Sequence, residues 1–384
     1  MEACDLFERK FGVRPEVASF APGRVEVLGN HTDYNGGFVM SIGLDLGITI
    51  AAGRRTGRRV EVSTGLFDGA VSFELDRIGK DPRARWADYP KGVLRELLAA
   101  GVPLEGMRLA IAADLPSGAG VSSSAALELA TAEAAYGLFG GRPADPMEEA
   151  LLCQRAEAEF VGMPCGLLDQ FSSLFARSDS ALFLDCATRE WSRLPLGRAV
   201  SLVLADTRVK HALVDGKYAE LRRSCENAAR RLGEVLGKRV RYLRDVTAGD
   251  LERGGGELPP EDRRRAAHVV AENARVLRGK ALLEEGRFDG LGALLVESHA
   301  SSRDLLGNSC PELDVLVEEA ARLPGFLGGK LCGGGFGGST VNLVEPKRAE
   351  EFAQALGRRY QARTGKEPRL LLAGVGDGAR VERI

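Results

Sequence analysis

The segment from Met107 to Gly140 constrains the fold of this chain more than any other. It opens with MRLAIAADLP, which predicts a strand, and continues with the loop sequence SGAGVSSS. The alanine-rich sequence AALELATAEAAYGLFG comes next and predicts a long helix. A strand, a glycine-rich loop and a helix in this order leave free backbone N–H groups at the helix start, and these groups attract anions.

The rest of the chain predicts an α+β protein in which strands cluster early and helices group in the middle. An extended segment at 16–29 is broken by Pro22-Gly23. Strands are predicted at 37–53, 58–65, 181–188 and 200–207, and helices at 4–12, 89–101, 147–162, 218–237, 261–285 and 312–322. A strand–glycine loop–strand unit at 330–344, a helix at 347–362 and a strand at 368–374 complete the pattern.

The length of the chain, 384 residues with 44% hydrophobic residues, exceeds what one ordinary core accommodates. Two domains are therefore expected. The break around Pro195-Leu196-Gly197 sets the boundary, giving domains at 1–197 and 198–384.

Composition excludes several classes of partner. The net charge is -2 and no basic block occurs, so no nucleic-acid partner is predicted. Seven cysteines without a CxxC pair fit reduced thiols in a cytoplasmic protein. The charged N-terminus does not resemble a signal peptide, and no apolar run reaches the roughly 18 residues of a membrane span.

The glycine- and serine-rich loop has two interpretations from its residues alone. Glycines allow the backbone to wrap closely around phosphate oxygens, and a serine hydroxyl can ligate Mg²⁺. The alternative is a serine helix cap after a flexible loop. The loop lacks the Gly-Lys-Ser/Thr of a Walker A motif and the GxGxxG pattern of dinucleotide-binding proteins.

Three motifs occur in order along the chain: PGRVEVLGNHTDYNGG, PSGAGVSSSAA and CGGGFGG. They resemble the three motifs of the GHMP small-molecule kinases, and the first resembles the galactokinase signature. The similarity extends to AEAEFVGMPCGLLDQFSSLF, VKHALVDGKYAELRRSCE and CPELDVLVEEA, and it spans Phe11 to Val344. The resemblance implies an N-terminal ribosomal-protein-S5-like α/β domain followed by a C-terminal ferredoxin-like α+β domain.

The resemblance also implies ATP-dependent transfer of a phosphoryl group to the C1 hydroxyl of galactose, with Mg²⁺ as cofactor. It makes Ser124 and Glu157 the Mg²⁺ ligands, and hard oxygen ligands of this kind suit that ion. The local alternative for Glu157 is a solvated charge on a helix face. The implied nucleotide loop consists of Gly118, Ala119, Gly120, Val121, Ser122, Ser123 and Ser124.

Asp169, in the sequence GLLDQF, matches the catalytic aspartate of the family. An acid flanked by leucines and phenylalanine is expected to be partly buried and to need a partner. On the local sequence alone, a helix cap or a core salt bridge is the favoured interpretation, and the resemblance reverses this ranking. The resemblance gives it the role of accepting the proton of the C1 hydroxyl or orienting that hydroxyl, with Arg24 beside it and the transferred phosphate.

The resemblance implies that the polar stretch after Arg24 binds the sugar. Asp33 is suited to accept hydrogen bonds from two neighbouring ring hydroxyls, and His31 can donate or accept. The chain has only four histidines, and no second His or Cys lies near His31 in the sequence. No metal site is therefore predicted there. The implied sugar-binding residues are Asn30, His31, Thr32, Asp33, Gly166 and Tyr218; packing within a helix is the alternative for Tyr218.

Asn30 departs from the usual family motif GEHTDY, in which a glutamate contacts the exocyclic C6 hydroxyl. An amide removes a negative charge that would oppose a C6 carboxylate. The site is therefore expected either to keep galactose with weaker pairing at C6 or to accept galacturonate.

Three other functions remain as alternatives: a galacturonokinase, an N-acetylgalactosamine kinase and a non-catalytic sugar sensor. The complete SSSAA sequence and the presence of both Asp169 and Arg24 favour catalysis over sensing. The expected partners are galactose or a close hexose and ATP, without nucleic acid or membrane. A monomer is expected.

Overall fold

A computed structural model describes residues 2–65, 70–115, 120–163, 165–196, 200–210 and 214–384. Its strands, in chain order, are β1 (Val17–Leu28), β2 (Phe38–Arg54), β3 (Arg59–Thr64), β4 (Ala70–Glu74), β5 (Met107–Ala113), β6 (Ser180–Asp185), β7 (Trp191–Pro195), β8 (Ser201–Lys210), β9 (Phe326–Cys332), β10 (Gly337–Val344), β11 (Arg369–Ala373) and β12 (Arg380–Arg383).

The helices are α1 (Glu2–Phe11), α2 (Asp88–Ala99), α3 (Ser123–Phe139), α4 (Pro146–Arg155), α5 (Leu168–Phe175), α6 (Val214–Leu236), α7 (Ala248–Gly254), α8 (Pro260–Glu284), α9 (Asp289–Ser301), α10 (Pro311–Ala320) and α11 (Ala349–Thr364). Two π-helical turns, Ala156–Val161 and Ser302–Leu306, extend α4 and α9, and Asp33–Asn35 forms a 3-10 turn after β1.

The strands form two sheets. The larger sheet has the order β12-β1-β2-β5-β3-β4, with β6 paired to β2 and β7 paired to β6. The smaller sheet has the order β11-β8-β10-β9, and all its pairs are antiparallel. The predicted α+β class is confirmed. The boundary between 197 and 198 stays a prediction, and the last strand of the chain, β12, pairs with β1 in the larger sheet.

Helix α3 packs against β1 and β2 of the larger sheet and is buried along nearly its whole length. Its many alanines permit this because small side chains let a helix approach a sheet closely on several faces. The predicted strand and helix of this segment end and begin close to their expected positions, at Ala113 and Ser123. Residues 116–119 between them lie outside the described residues.

The small sheet carries its own apolar layer, formed with α10 and α11 by Leu316, Phe352, Leu356 and Tyr360. No helix in the described ranges is both long enough and apolar enough to cross a membrane.

Helix α9 was not predicted, because its sequence DGLGALLVESHAS contains two glycines, which weaken a helix. Tertiary packing explains them: a Cβ at Gly292 would lie 1.6 Å from the backbone oxygen of Leu327 in β9. Strand β12 (RVER) was also missed, because a short, charged edge strand carries no apolar alternation.

Candidate active site

A cavity of about 590 Å³ lies where the end of β1 and its following turn meet α5, α6 and the loop after β9. It brings together eight of the predicted site residues although they are spread over nearly 200 positions of the chain. These residues are Arg24, Asn30, His31, Asp33, Glu157, Gly166, Asp169 and Tyr218.

Arg24 and Asp169 form a charged pair in this cavity. Arg24 Nε and Nη2 donate to Asp169 Oδ1 at 2.9 and 2.6 Å, and Nη1 donates to the Gly120 carbonyl at 2.8 Å. Burial opposes the charge of Arg24, but Asp169, Cys332 and Glu26 together outweigh it and raise the pKa of the guanidinium, with Asp169 contributing most. The local expectation of a salt bridge for Asp169 therefore holds, and its partner is the predicted arginine.

Gly120 is the point where the glycine- and serine-rich loop meets this pair. Its φ is +74°, and a Cβ there would lie 2.8 Å from the Cys332 carbonyl, so the loop after β9 packs directly against it. Val121 is buried and its carbonyl accepts from Arg24 N at 3.1 Å. Gly118 and Ala119, also predicted to bind ATP, lie outside the described residues.

Two aromatic rings of the turn after β1, His31 and Tyr34, pack with Tyr218 of α6 beside the cavity. His31, Tyr34 and Tyr218 pack with ring centroids 5.2 to 5.7 Å apart. His31 Nδ1 lies 2.8 Å from Tyr34 Oη, and Nε2 lies 3.2 Å from the Gly334 carbonyl. Burial lowers the pKa of His31 to about 3, so the imidazole is neutral and its tautomer is fixed by these partners.

Asp33 packs directly against Gly166 in the lining of the cavity. A Cβ placed at Gly166 would lie only 2.1 Å from Asp33 Oδ2, so the glycine leaves room for this carboxylate. Burial raises the pKa of Asp33 to about 6, and repulsion by Asp169 and Glu26 adds to the shift.

Asn30 and Thr32, both predicted to bind sugar, are fully buried and engaged within the protein. Asn30 Nδ2 donates to the Gly333 carbonyl at 3.0 Å, and its Oδ1 accepts from Asn308 Nδ2 at 2.9 Å. Thr32 Oγ1 lies 2.7 Å from the Gly29 carbonyl and 2.6 Å from the Phe38 carbonyl and donates its single proton to one of them. Thr32 does not line the cavity. Thr32 therefore shapes the turn instead of facing the cavity.

The predicted Mg²⁺ ligands lie beside a cluster of buried oxygens. Gln170 Nε2 donates to Glu157 Oε2 at 2.7 Å and to Glu128 Oε2 at 2.8 Å. Burial, followed by repulsion from Asp169, raises the pKa of Glu157, and hydrogen bonding from Cys165, Gln170 and Ser124 opposes that shift.

Three oxygens in this region lack a hydrogen-bond partner among the described residues, Ser122 Oγ, Glu128 Oε1 and Gln170 Oε1. No group of three or more His, Cys, Asp or Glu side chains in the described ranges is arranged to hold a metal ion. Mg²⁺ needs no such group, because it is commonly held by one or two carboxylates together with substrate phosphates. The donor set of Ser124 and Glu157 fits the ion.

Several residues of this region were not predicted from the sequence. Glu26 lines the cavity and pairs with the fully buried Lys330, whose Nζ lies 2.6 Å from Glu26 Oε1. The sequence could have indicated Glu26, because it follows Arg24 by two positions and side chains two positions apart on a strand lie on the same face. Gln170 and Glu128 had no comparable signal.

Comparison with known proteins gives three family matches. The galactokinase galactose-binding signature matches residues 5–54, the N-terminal domain of GHMP kinases matches 88–177, and their C-terminal domain matches 280–362. Mevalonate kinase from Methanococcus jannaschii shares the fold at 17% identity, with a TM-score of 0.64, and covers 94% of this chain and 99% of its own. Fold and motifs together make the chain a GHMP kinase.

Relatives of higher sequence identity show which family of GHMP kinases the chain belongs to. The galactokinase of Chloroflexus aggregans is 42% identical over 96% of this chain and 95% of its own, and the human galactokinase is 38% identical over 99% and 96%. The structure of Lactococcus lactis galactokinase complexed with galactose superposes with a TM-score of 0.91 at 30% identity, covering 98% of each chain. The chain belongs to the galactokinase family, which confirms the resemblance seen in its motifs.

Proposed function

We propose that the chain phosphorylates the C1 hydroxyl of galactose with ATP as phosphoryl donor. One observation carries the proposal: the Arg24–Asp169 pair lies in the sugar cavity and is joined to the glycine- and serine-rich loop through the Gly120 carbonyl. The full-length similarity to galactokinases supports galactose as the acceptor.

Phosphoryl transfer requires little covalent chemistry from the protein beyond alignment and charge stabilisation. Both Arg24 contacts go to Asp169 Oδ1, which leaves Oδ2 to accept a hydrogen bond from the C1 hydroxyl. The carboxylate orients this hydroxyl and takes its proton as the C1 oxygen bonds to the γ-phosphorus of ATP. The bond from that phosphorus to the β,γ-bridging oxygen breaks, and ADP leaves. Arg24 holds the carboxylate in place and stabilises negative charge developing on the transferred group.

The rest of the cavity holds the hexose. Asp33 accepts hydrogen bonds from neighbouring ring hydroxyls, and neutral His31 and Tyr218 form an aromatic wall for the apolar face of the ring. Gly166 contributes by leaving space for Asp33.

The nucleotide loop implied by the resemblance, Gly118 to Ser124, would bind ATP, and Ser124 and Glu157 would hold Mg²⁺. The ion, when bound, neutralises phosphate charge and orients the β- and γ-phosphates. Gln170 keeps the Glu157 carboxylate in a single orientation by donating to it.

A coupled assay of ADP release tests the proposal. The wild-type protein is supplied with ATP, Mg²⁺ and, in separate reactions, galactose, galacturonate, N-acetylgalactosamine or glucose, and the products are identified by mass. We expect galactose 1-phosphate, with the reaction abolished by EDTA and restored by added Mg²⁺. Sugar binding without any ADP release would instead make the chain a sensor.

A further inference from the structure

Glu26 is an anionic residue of the sugar cavity to which no role has been given so far. It follows Arg24 by two positions on β1, so both side chains lie on the same face of the strand. It is 5% exposed and lines the cavity that holds Asp33 and Asp169. Building on the proposed function, we infer that Glu26 determines sugar specificity: it accepts a hydrogen bond from a sugar hydroxyl and excludes sugars that carry a carboxylate.

Lys330 binds the Glu26 carboxylate from outside the cavity lining. Its side chain is fully buried, and Nζ lies 2.6 Å from Glu26 Oε1. It does not line the cavity. The only hydrogen bond to Glu26 Oε2 among the described residues comes from Asn30 Nδ2 at 3.5 Å, the outer limit for such a contact. Oε2 is therefore the oxygen that remains able to accept from a ligand.

Asn30 is not able to take this role itself. Its Nδ2 donates to the Gly333 carbonyl and to Glu26, and its Oδ1 accepts from Asn308 and from Ser302 Oγ at 3.2 Å. The amide thus has no free donor or acceptor for a sugar. Although position 30 is neutral, the adjoining corner of the cavity still carries a carboxylate, that of Glu26.

The charge of Glu26 reaches the sugar-binding groups. Repulsion by Glu26 contributes to the raised pKa of Asp33, after burial and together with Asp169. A sugar carboxylate in the same cavity would meet Glu26, Asp33 and Asp169 at close range, with Arg24 already paired. Galacturonate is therefore expected to be a poor substrate, and the neutral asparagine at position 30 does not make it a good one.

The test compares wild type with Glu26→Gln and with the double variant Glu26→Gln/Lys330→Met. The second variant is needed because replacing only the glutamate deprives the buried Lys330 ammonium of its directly bonded carboxylate, which destabilises the fold. Each protein is given galactose, the monodeoxy galactoses and galacturonate, and thermal unfolding and ATP affinity are measured as folding controls. Sugar affinity is measured separately by calorimetry without ATP.

We expect both variants to bind galactose about 10- to 100-fold more weakly, the usual effect of losing a hydrogen bond to a charged group. One deoxy sugar should bind wild type and variants equally, because it lacks the hydroxyl that Glu26 contacts. The ratio of galacturonate to galactose binding should rise at least tenfold in the double variant.

If Glu26 had only a structural role, the variants would bind every sugar more weakly by the same factor. The affinity ratios of deoxy sugar to galactose and of galacturonate to galactose would then stay unchanged, and this result would overturn the inference. Calorimetry tests the role of Glu26 separately from the proposed kinase activity, because it measures sugar binding without ATP. Wild-type protein that binds galactose without turnover refutes the kinase activity, while the affinity ratios still decide the role of Glu26.

Discussion

Replacing Gly166 by alanine tests the geometry of the sugar cavity with a single methyl group. The new Cβ would lie 2.1 Å from Asp33 Oδ2, whereas real Cβ contacts do not fall below 3.0 Å. The Asp33 carboxylate must therefore move by about 1 Å, and a misplacement of about 1 Å at a reacting site costs roughly 100-fold in rate. We expect kcat/KM for galactose to fall by about this factor, equivalent to ~2.7 kcal/mol, while the KM for ATP stays unchanged.

Steady-state kinetics with varied galactose and saturating ATP measure this effect. Gly216→Ala is the matched control, because it makes the same change near the start of α6, where a Cβ meets nothing within 4 Å. In a double-mutant cycle, alanine at 166 should add little once Asp33→Ala has removed the carboxylate. A Gly166→Ala protein whose kcat/KM for galactose stays within threefold of wild type would refute the placement of Asp33 against the sugar.

Asp169→Asn should lower kcat by about 10²- to 10⁴-fold with ATP affinity intact, because an amide accepts no proton from the C1 hydroxyl; single-turnover rates and calorimetric ATP titration measure the two effects, and near-normal turnover would exclude the role. Arg24→Ala should reduce kcat more than ATP affinity, since it removes both contacts to Asp169 Oδ1, and equal losses in the two parameters would mean that Arg24 mainly binds ground-state ATP. Burial raises the pKa of Asp33 to about 6, so this carboxylate gains a proton as the pH falls through 6. The value of kcat/KM for galactose should then fall about tenfold per pH unit below 6. The kcat/KM for ATP should show no such decrease, and the Asp33→Asn variant should lack the decrease for galactose. Because the folded state holds this proton more tightly than the unfolded chain, Asp33 also lowers stability as the pH rises from about 4 to 6, and urea unfolding of wild type and Asp33→Asn measures the difference.

Local sequence predicted most of the long elements of the fold, because their apolar patterns are strong. The alanine-rich helix α3 and the strand β2 were found within two residues of their observed ends. Elements defined by tertiary contacts were missed. Helix α9 depends on glycine for contact with β9, and β12 depends on pairing with β1, so neither has a local signal.

The residues of the candidate site show the same difference between what local sequence predicts and what only tertiary contacts define. Asp169 could be assigned to a salt bridge or a helix cap from its neighbours, and only the family resemblance selected Arg24, 145 positions away, as its partner. The Glu26–Lys330 pair spans 304 positions. Each residue alone is a charged group within an apolar strand, a pattern that predicts a partner without identifying it.

The sugar-binding turn owes its shape to residues far from it in sequence. Glu272 Oε1 on α8 accepts from the backbone N–H groups of Gly29 and Asn30, and His268 Nε2 lies 2.9 Å from the Asn30 carbonyl. Burial opposes ionisation of Glu272, yet electrostatic attraction from His268 and Arg275, and to a smaller extent from Lys330, lowers its pKa to about 2. Lys330 therefore pairs directly with Glu26 in the cavity and contributes an electrostatic attraction to Glu272, which shapes the turn. The charge of this one buried ammonium therefore acts both on the carboxylate of Glu26 in the cavity and on the carboxylate that binds the turn carrying His31 and Asp33.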